Sequence, residues 1–440
     1  MSMRHSPNRT SGVVPGSRAL DVIEAQLRDF VLTTLTVPSA RPARRGRPEL
    51  LPAMALWGAL VIGVLRRDLT QVDLWRRLID RHWWFAGQIQ VAKETVYKRL
   101  SVTGPSPVQD LFTGMTEQLV AERTAVPGLE AIAPWATDVL ALDETTLDAV
   151  ARKRPELWEI PPGSTALLPG KLTAVLDVRR QLFRSVTIQE KATQNERVAA
   201  LDAITPFPAG SLVVMDLGYF SFPLFDAIAA QGKFFVSRLR AKTSVTPITV
   251  LAEEGATRDA LVYLGAYRAD QAATPMRVIE FMVGSTRHTY VTNQLDPTLL
   301  SVREVADLYA ERWGIEIAFN LVKTDLKLSL LWSSKRAIIA HQIWGVLLIA
   351  QLVLAARAAV AERARVPITW VSLNLLVRYL PEYAKHAVDP IGDFADQGAL
   401  MGFIREPRRI KRQVPTLPPA SYRIPEGSTP PRPARYAGKQ

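Results

Sequence analysis

The chain contains no cysteine. That excludes disulfides, thiolate-bound zinc and a thiol nucleophile. Histidine is scarce, with five in 440 residues, so any resident metal must be held by carboxylates or by these five histidines. The opening residues, MSMRHSPNRTSGVVPGSR, hold no apolar signal core, and a cytoplasmic protein is expected. Long hydrophobic runs are lacking too. Only residues 338–361, IIAHQIWGVLLIAQLVLAARAAVA, have the length of a membrane span. His341, Gln342, Gln351 and Arg357 interrupt that run, so the expectation is a buried core helix and no membrane partner. Acidic charge is in deficit, with 42 Asp and Glu against 54 Lys and Arg, a net charge of +12 and a pI of about 9.9. Such an excess points to a polyanion, and nucleic acid and an anionic membrane surface are the two candidates.

What is present divides the chain into stretches. Hydrophobic residues at 48% and charged residues at 22% describe a folded protein with a sizeable core. Residues 1–48 form a basic arm containing a helix candidate, ALDVIEAQLRDFVLTTL, and the tetrapeptide Arg45-Gly46-Arg47-Pro48. Arg45 and Arg47 suit a narrow minor groove, or else a solvated linker. Residues 49–130 read as all-helical. Within them Lys93, Lys98 and Arg99 lie on a short helix after two others, as in a helix-turn-helix that presents its second helix to DNA. A plain bundle with a basic surface reads equally well.

Residues 131–242 turn to apolar strands broken by helices, residues 243–298 read as an inserted β region, and residues 299–403 are helical. Residues 404–440 are a basic Pro-rich tail, expected to be disordered. From Ile404 onward the tail holds eight prolines, nine basic residues and two acidic ones.

Two acids stand at the ends of apolar strands. Asp143 closes ATDVLALDETTL, and Asp216 closes GSLVVMDLGYF, where Gly218 breaks the strand. A third, Glu316, lies on a helix. The order strand–strand–strand–helix–strand, then an inserted β region, then a helix, is that of an α/β ribonuclease-H-like core preceded by an all-helical N-terminal domain. Ligands of open α/β sheets collect at strand carboxyl ends. Three carboxylates gathered there repel one another unless a cation neutralises them. Oxygen-only ligation suits Mg²⁺, and a two-ion arrangement activates one oxygen and stabilises another in phosphodiester chemistry.

The helix with Glu316 reads YAERWGIEIAFNLVK. At about 100° per residue, Tyr309, Arg312, Glu316 and Lys323 share one narrow stripe. Beside it runs an apolar stripe of Leu308, Ile315, Phe319, Val322 and Leu326. The helix therefore packs into a core and shows polar groups at the rim. Arg312 and Glu316, four apart, also read as an ordinary surface pair.

Together ALDETTL, VVMDLGYFSF and YVTNQLD…LYAERWGIEIAFNLVK resemble the DDE transposases of the insertion-sequence-four type, over about residues 130–365. The pattern Tyr-x2-Arg-x3-Glu-x6-Lys is complete in Tyr309, Arg312, Glu316 and Lys323, and Asn293 and Trp313 also resemble the family's. The resemblance implies that Asp143, Asp216 and Glu316 are the catalytic acids and hold two Mg²⁺ ions, for which Mn²⁺ substitutes. It implies that Tyr309, Arg312 and Lys323 grip DNA phosphates. It implies cut-and-paste cleavage and strand transfer at inverted-repeat ends by a homodimer on double-stranded DNA, acting at the nucleoid.

Two departures stand out. Glu144 follows the first acid, where the family more often has a small residue; it is either an extra ligand or a solvent-facing side chain. No Trp occurs between 159 and 312, so Phe281, Tyr263 or Tyr290 is left to stack a flipped base. Two rivals remain: a transposase-derived DNA-binding protein without catalysis, and a two-carboxylate glycosidase, against which the basic charge argues.

Overall fold

In the computed structural model, the described residues are 51–407 apart from 52, 66–69, 81, 84–86, 103, 147–169, 190–195, 266–270, 327, 329–330, 334 and 387–388, together with 414, 416–417 and 421–423. The N-terminal arm, with Arg45 and Arg47, lies outside them, as does its helix candidate.

Among the described residues, four helices come first: α1 (Ala53–Leu65), α2 (Gln71–Asp80), α3 (Lys93–Val102) and α4 (Ser106–Glu122). Between α2 and α3 lies a small antiparallel hairpin of β1 (His82–Trp83) and β2 (Gly87–Gln88). A helix-turn-helix joins its helices through about 3–4 residues. Here the β1–β2 hairpin lies between α2 and α3, a longer connection than that turn.

The predicted strands follow as β3 (Val139–Thr146), β4 (Lys171–Asp177) and β5 (Leu182–Gln189). Helix α5 (Glu196–Ile204) leads to β6 (Leu212–Met215), then α6 (Phe222–Ala230) to β7 (Phe234–Arg238). Gly232 adopts φ +66°, a left-handed conformation that lets the chain leave α6 and enter β7. Strands β8 (Val245–Glu254), β9 (Thr257–Leu264), β10 (Met276–Val283) and β11 (Thr286–Thr292) make up the inserted region. They do not form a separate sheet. β11 pairs antiparallel with β7, and the nine strands run in the order β5-β4-β3-β6-β7-β11-β10-β9-β8. β3 pairs parallel with β6, and β6 parallel with β7.

The two faces of the sheet carry different helices. Leu140, Leu142, Val213 and Met215 pack with α5 and α6. Val139, Ala141, Leu212 and Val214 face the other way, into a core shared with the C-terminal helices and with α1–α4. Period-2 alternation along β3 and β6 thus assigns odd-numbered β3 positions and even-numbered β6 positions to one face. On that face lie α7 (Val302–Glu311), α8 (Trp313–Asn320) and α9 (Arg336–Ala364), followed by α10 (Leu373–His386) and α11 (Pro390–Gly398). α9 is the interrupted apolar run. It is long and apolar enough to cross a membrane, but 72% of its most apolar window is buried inside the protein. Polar side chains in it serve the core: Gln351 accepts from Phe183 N–H at 3.0 Å and donates to Phe183 C=O at 2.9 Å.

The described parts of the tail are packed, contrary to the disorder expected of them. Val414 and Leu417 rest on the main core, and Arg423 N–H donates to Leu251 C=O at 2.8 Å on β8. Tyr422 is pushed up to about 12 by burial and by the neighbouring Asp259 carboxylate. That carboxylate forms a fully buried pair with Arg277, whose Nη1 also donates to Leu300 C=O at 2.6 Å. Local composition counts only charge and proline; the apolar residues that dock are spaced among them.

Candidate active site

β3 is fully buried through Leu142 and opens at Asp143. Parallel pairing sets Leu142 beside Met215, so the next residues, Asp143 and Asp216, emerge side by side at the strand ends. Asp143 shares the face of Ala141, and Asp216 that of Val214. This is the face covered by α7 and α8.

Above them the helix is not the single straight one that the stripe assumed. α7 starts with a reciprocal cap between Ser301 and Glu304. It ends at Glu311, α8 begins at Trp313, and Arg312 is the joint. α8 passes into a π-turn at Leu321–Asp325, which contains Lys323. The turn is anchored by Asn374 of α10, which donates to Asp325 at 2.7 Å. Such wide turns recur at functional positions. Despite both breaks, all four polar groups reach the strand ends.

Tyr309 donates to Asp216 Oδ1 at 3.0 Å. Arg312 donates through Nη1 to Asp143 Oδ2 at 3.2 Å and through Nη2 to Glu316 Oε1 at 2.6 Å. Lys323 Nζ donates to Thr145 Oγ1 at 2.6 Å, on the same face of β3 as Asp143. Asp143, Asp216, Glu316, Tyr309, Arg312 and Lys323 therefore form one constellation. The Arg312–Glu316 surface pair is present, but it is part of this cluster: the Arg312 side chain is only 9% exposed.

Electrostatics record the crowding. Burial pushes the Asp143 carboxyl above its ordinary value. The Glu144 N–H and Arg312 pull it back, while the charges of Glu316 and Asp216 push it further up. Burial also raises the Tyr309 hydroxyl, helped by Asp216, so it stays protonated and donates. Burial works against the charge of Arg312, yet its bond to Glu316 and the nearby acids leave its pKa raised.

Glu144 is neither an extra ligand nor in solvent. It points to the opposite face, accepting from Thr173 at 2.8 Å and pairing with Lys171 at 3.2 Å. Asn293 is a clamp between strands: it accepts from Phe235 N–H at 2.8 Å and donates to Lys233 C=O at 2.8 Å. The three stacking candidates, Phe281, Tyr263 and Tyr290, are all buried, so no ring face is open to a base. Aromatic residues in strands read alike whichever way they face. The exposed ring at this site is Trp313, 49% exposed and adjacent to Arg312.

Of the three basic residues on α3, Lys93 and Lys98 are exposed. Arg99 instead turns inward, donating to Leu51 C=O at 3.3 Å.

The donor chemistry of the three acids fits a hard divalent cation. Among the described residues, however, no group of three or more His, Asp or Glu is gathered closely enough to hold a metal. Arg312 supplies the positive charge between Asp143 and Glu316 instead.

Residues 134–352 match the family model of the transposase DDE domain, a span that contains Asp143, Asp216 and Glu316. The class this supports is a DDE transposase. Among solved structures, the piggyBac transposase synaptic complex with hairpin DNA aligns over 90% of this chain and 85% of that one, at 10% identity and a TM-score of 0.39. The search of curated proteins finds no match.

Proposed function

We propose that this DDE transposase is of the insertion-sequence-four type. It binds the inverted-repeat ends of its element as a homodimer and moves them by cut-and-paste cleavage and strand transfer. The observation that carries the reading is the convergence of Asp143, Asp216 and Glu316 on one face, held by Tyr309 and Arg312. The strand order β5-β4-β3-β6-β7, with β3–β6–β7 parallel, supports a ribonuclease-H-like core.

Asp143, Asp216 and Glu316 would hold Mg²⁺, as two ions, or Mn²⁺ in its place. Bound there, the metal supplies Lewis acidity to phosphodiester cleavage and neutralises the carboxylates. The chain's own residues do the rest. Arg312 is already stripped of water, and its planar fork suits a phosphate as well as it suits Asp143 and Glu316. It moves from the carboxylates to the DNA when the acids gain another countercharge. Tyr309, kept protonated, donates to a phosphate oxygen as it now donates to Asp216. Lys323 adds a point charge from its π-turn. Trp313 lays an open ring beside the cut. Lys93 and Lys98 on α3, with Arg45 and Arg47 of the arm, extend the grip on the duplex.

The test is Mg²⁺-dependent cutting of DNA that carries the element's ends. The parent protein cuts, and Asp216→Ala does not; equal cutting by both would refute the assignment. A DNA-binding descendant without catalysis is the rival reading, favoured by the Arg312 bridge across the acids. It predicts salt-sensitive binding and no cutting by the parent.

A further inference from the structure

One basic group beside the acids has no part in the signature. Arg238 ends β7, the strand next to β6. Parallel pairing sets Val214 beside Val236, and two residues further along each strand come Asp216 and Arg238. Alternation places Arg238 on the same face as Val236, the face of the carboxylates. Its Cζ lies 6.0 Å from the ring centre of Tyr309, whose hydroxyl donates to Asp216.

Arg238 begins a run. The chain continues Arg238-Leu239-Arg240-Ala241-Lys242, with Leu239 packed on the smaller core and the three basic residues exposed. Arg240 is propped on Phe220, with Cζ 5.1 Å from the ring centre and Nη2 donating to Phe220 C=O at 3.3 Å. Phe220 itself follows Asp216 through a short turn. A left-handed φ of 64° carries Lys242 onward. Among the described residues, no carboxylate stands within ion-pair distance of Arg238, Arg240 or Lys242. Three other arginines of this sheet and its turns are matched: Arg180 and Arg184 pair with Asp177 and Asp138, and Arg277 pairs with Asp259. Three closely spaced cations therefore lead away from the carboxylate cluster.

We propose that Arg238, Arg240 and Lys242 form a phosphate track that leads the DNA backbone into the site, with Arg238 nearest the bond that is cut. The track rests on the DNA-cutting reading above. Its members bind and position; they take no part in proton transfer.

The test is the salt dependence of binding to a short fluorescent duplex of arbitrary sequence without divalent metal. It compares the parent, the doubly substituted Arg238→Ala/Lys242→Ala protein and the charge-keeping Arg238→Lys/Lys242→Arg protein. Arg240 is left in place because it also packs. Each lost phosphate contact makes the slope of log K against log salt shallower by about 0.9. The alanine protein should lose about two such steps and bind more weakly, with unchanged melting temperature, while the charge-keeping protein retains the parent's slope. An unchanged slope in the alanine protein overturns the track, even if the parent cuts DNA. An equal loss in both variants also overturns it, because the effect would then be structural. A parent that shows no salt-sensitive binding overturns the functional reading, and the track with it.

Discussion

Asp143 has reason to be unhappy where it is. Its carboxyl is withdrawn from water and faces two other acids, and Arg312 does not make up the difference, so its pKa rises above 3.8. A carboxyl with a raised folded-state pKa binds its proton more tightly in the folded chain. Stability then falls as pH climbs from the unfolded value through the folded one, and the penalty persists at neutral pH. Asp143→Asn removes that charge while keeping its shape. It should melt at or above the parent's temperature at pH 7, with the advantage shrinking as pH falls toward the unfolded carboxylate value. Thermal melts across pH check this. A variant less stable than the parent at pH 7, and no better at low pH, would mean that Arg312 outweighs the crowding. A stabilising loss of a charge is what a site built for an added cation should show.

At the scale of elements, the site depends on how closely α8 lies on β4 and the β4–β5 turn. Gly314 is where that contact is tightest. A Cβ there would stand 2.8 Å from Gln181 Oε1 and 3.3 Å from Leu176 Cδ2. Gln181 is itself buried in the turn and holds Val178 C=O at 2.9 Å, so it has little room to yield. Gly314→Ala gains about 1 kcal/mol in helix propensity and should lose more, about 1–3 kcal/mol, to overpacking. The expected net result is a lower melting temperature and weaker cutting, because Glu316 sits two residues further along the displaced helix. Chemical denaturation measures the first, and an unchanged or raised stability would show that Gln181 moves aside freely.

Element scale is also where reading from sequence succeeds and stops. Asp143 and Asp216 were legible because apolar strands end abruptly in acids, and Glu316 because the helix stripe places it with Tyr309, Arg312 and Lys323. The joint at Arg312 and the π-turn at Lys323 were not legible. Both arise from shifted backbone hydrogen bonds that no residue type announces. Glu144 was hard to place because its partners, Lys171 and Thr173, lie on the neighbouring strand. Arg238 was missed for a related reason: only the β6–β7 register puts it beside Asp216. The β1–β2 hairpin between α2 and α3 was not legible either.

For the whole molecule, the decisive fact is that the three acids come from three places, β3, β6 and α8, far apart in the chain. One large core spans Leu51 to Ile404 and takes in the N-terminal helices, one face of the sheet and α9, so folding brings these pieces together as a unit. The cation site proposed for these acids would belong to the folded protein alone and would stabilise it when filled. Arg312 would be its internal competitor. The measurement that tests this most directly is Mn²⁺ binding followed by electron paramagnetic resonance. The parent is titrated beside Asp143→Asn, Asp216→Asn, Glu316→Gln and Arg312→Ala. The account predicts saturable binding in the parent, its loss in each of the three amide variants, and tighter binding by about tenfold, or ~1.4 kcal/mol, in Arg312→Ala. Binding that is undiminished in all three amide variants would contradict it.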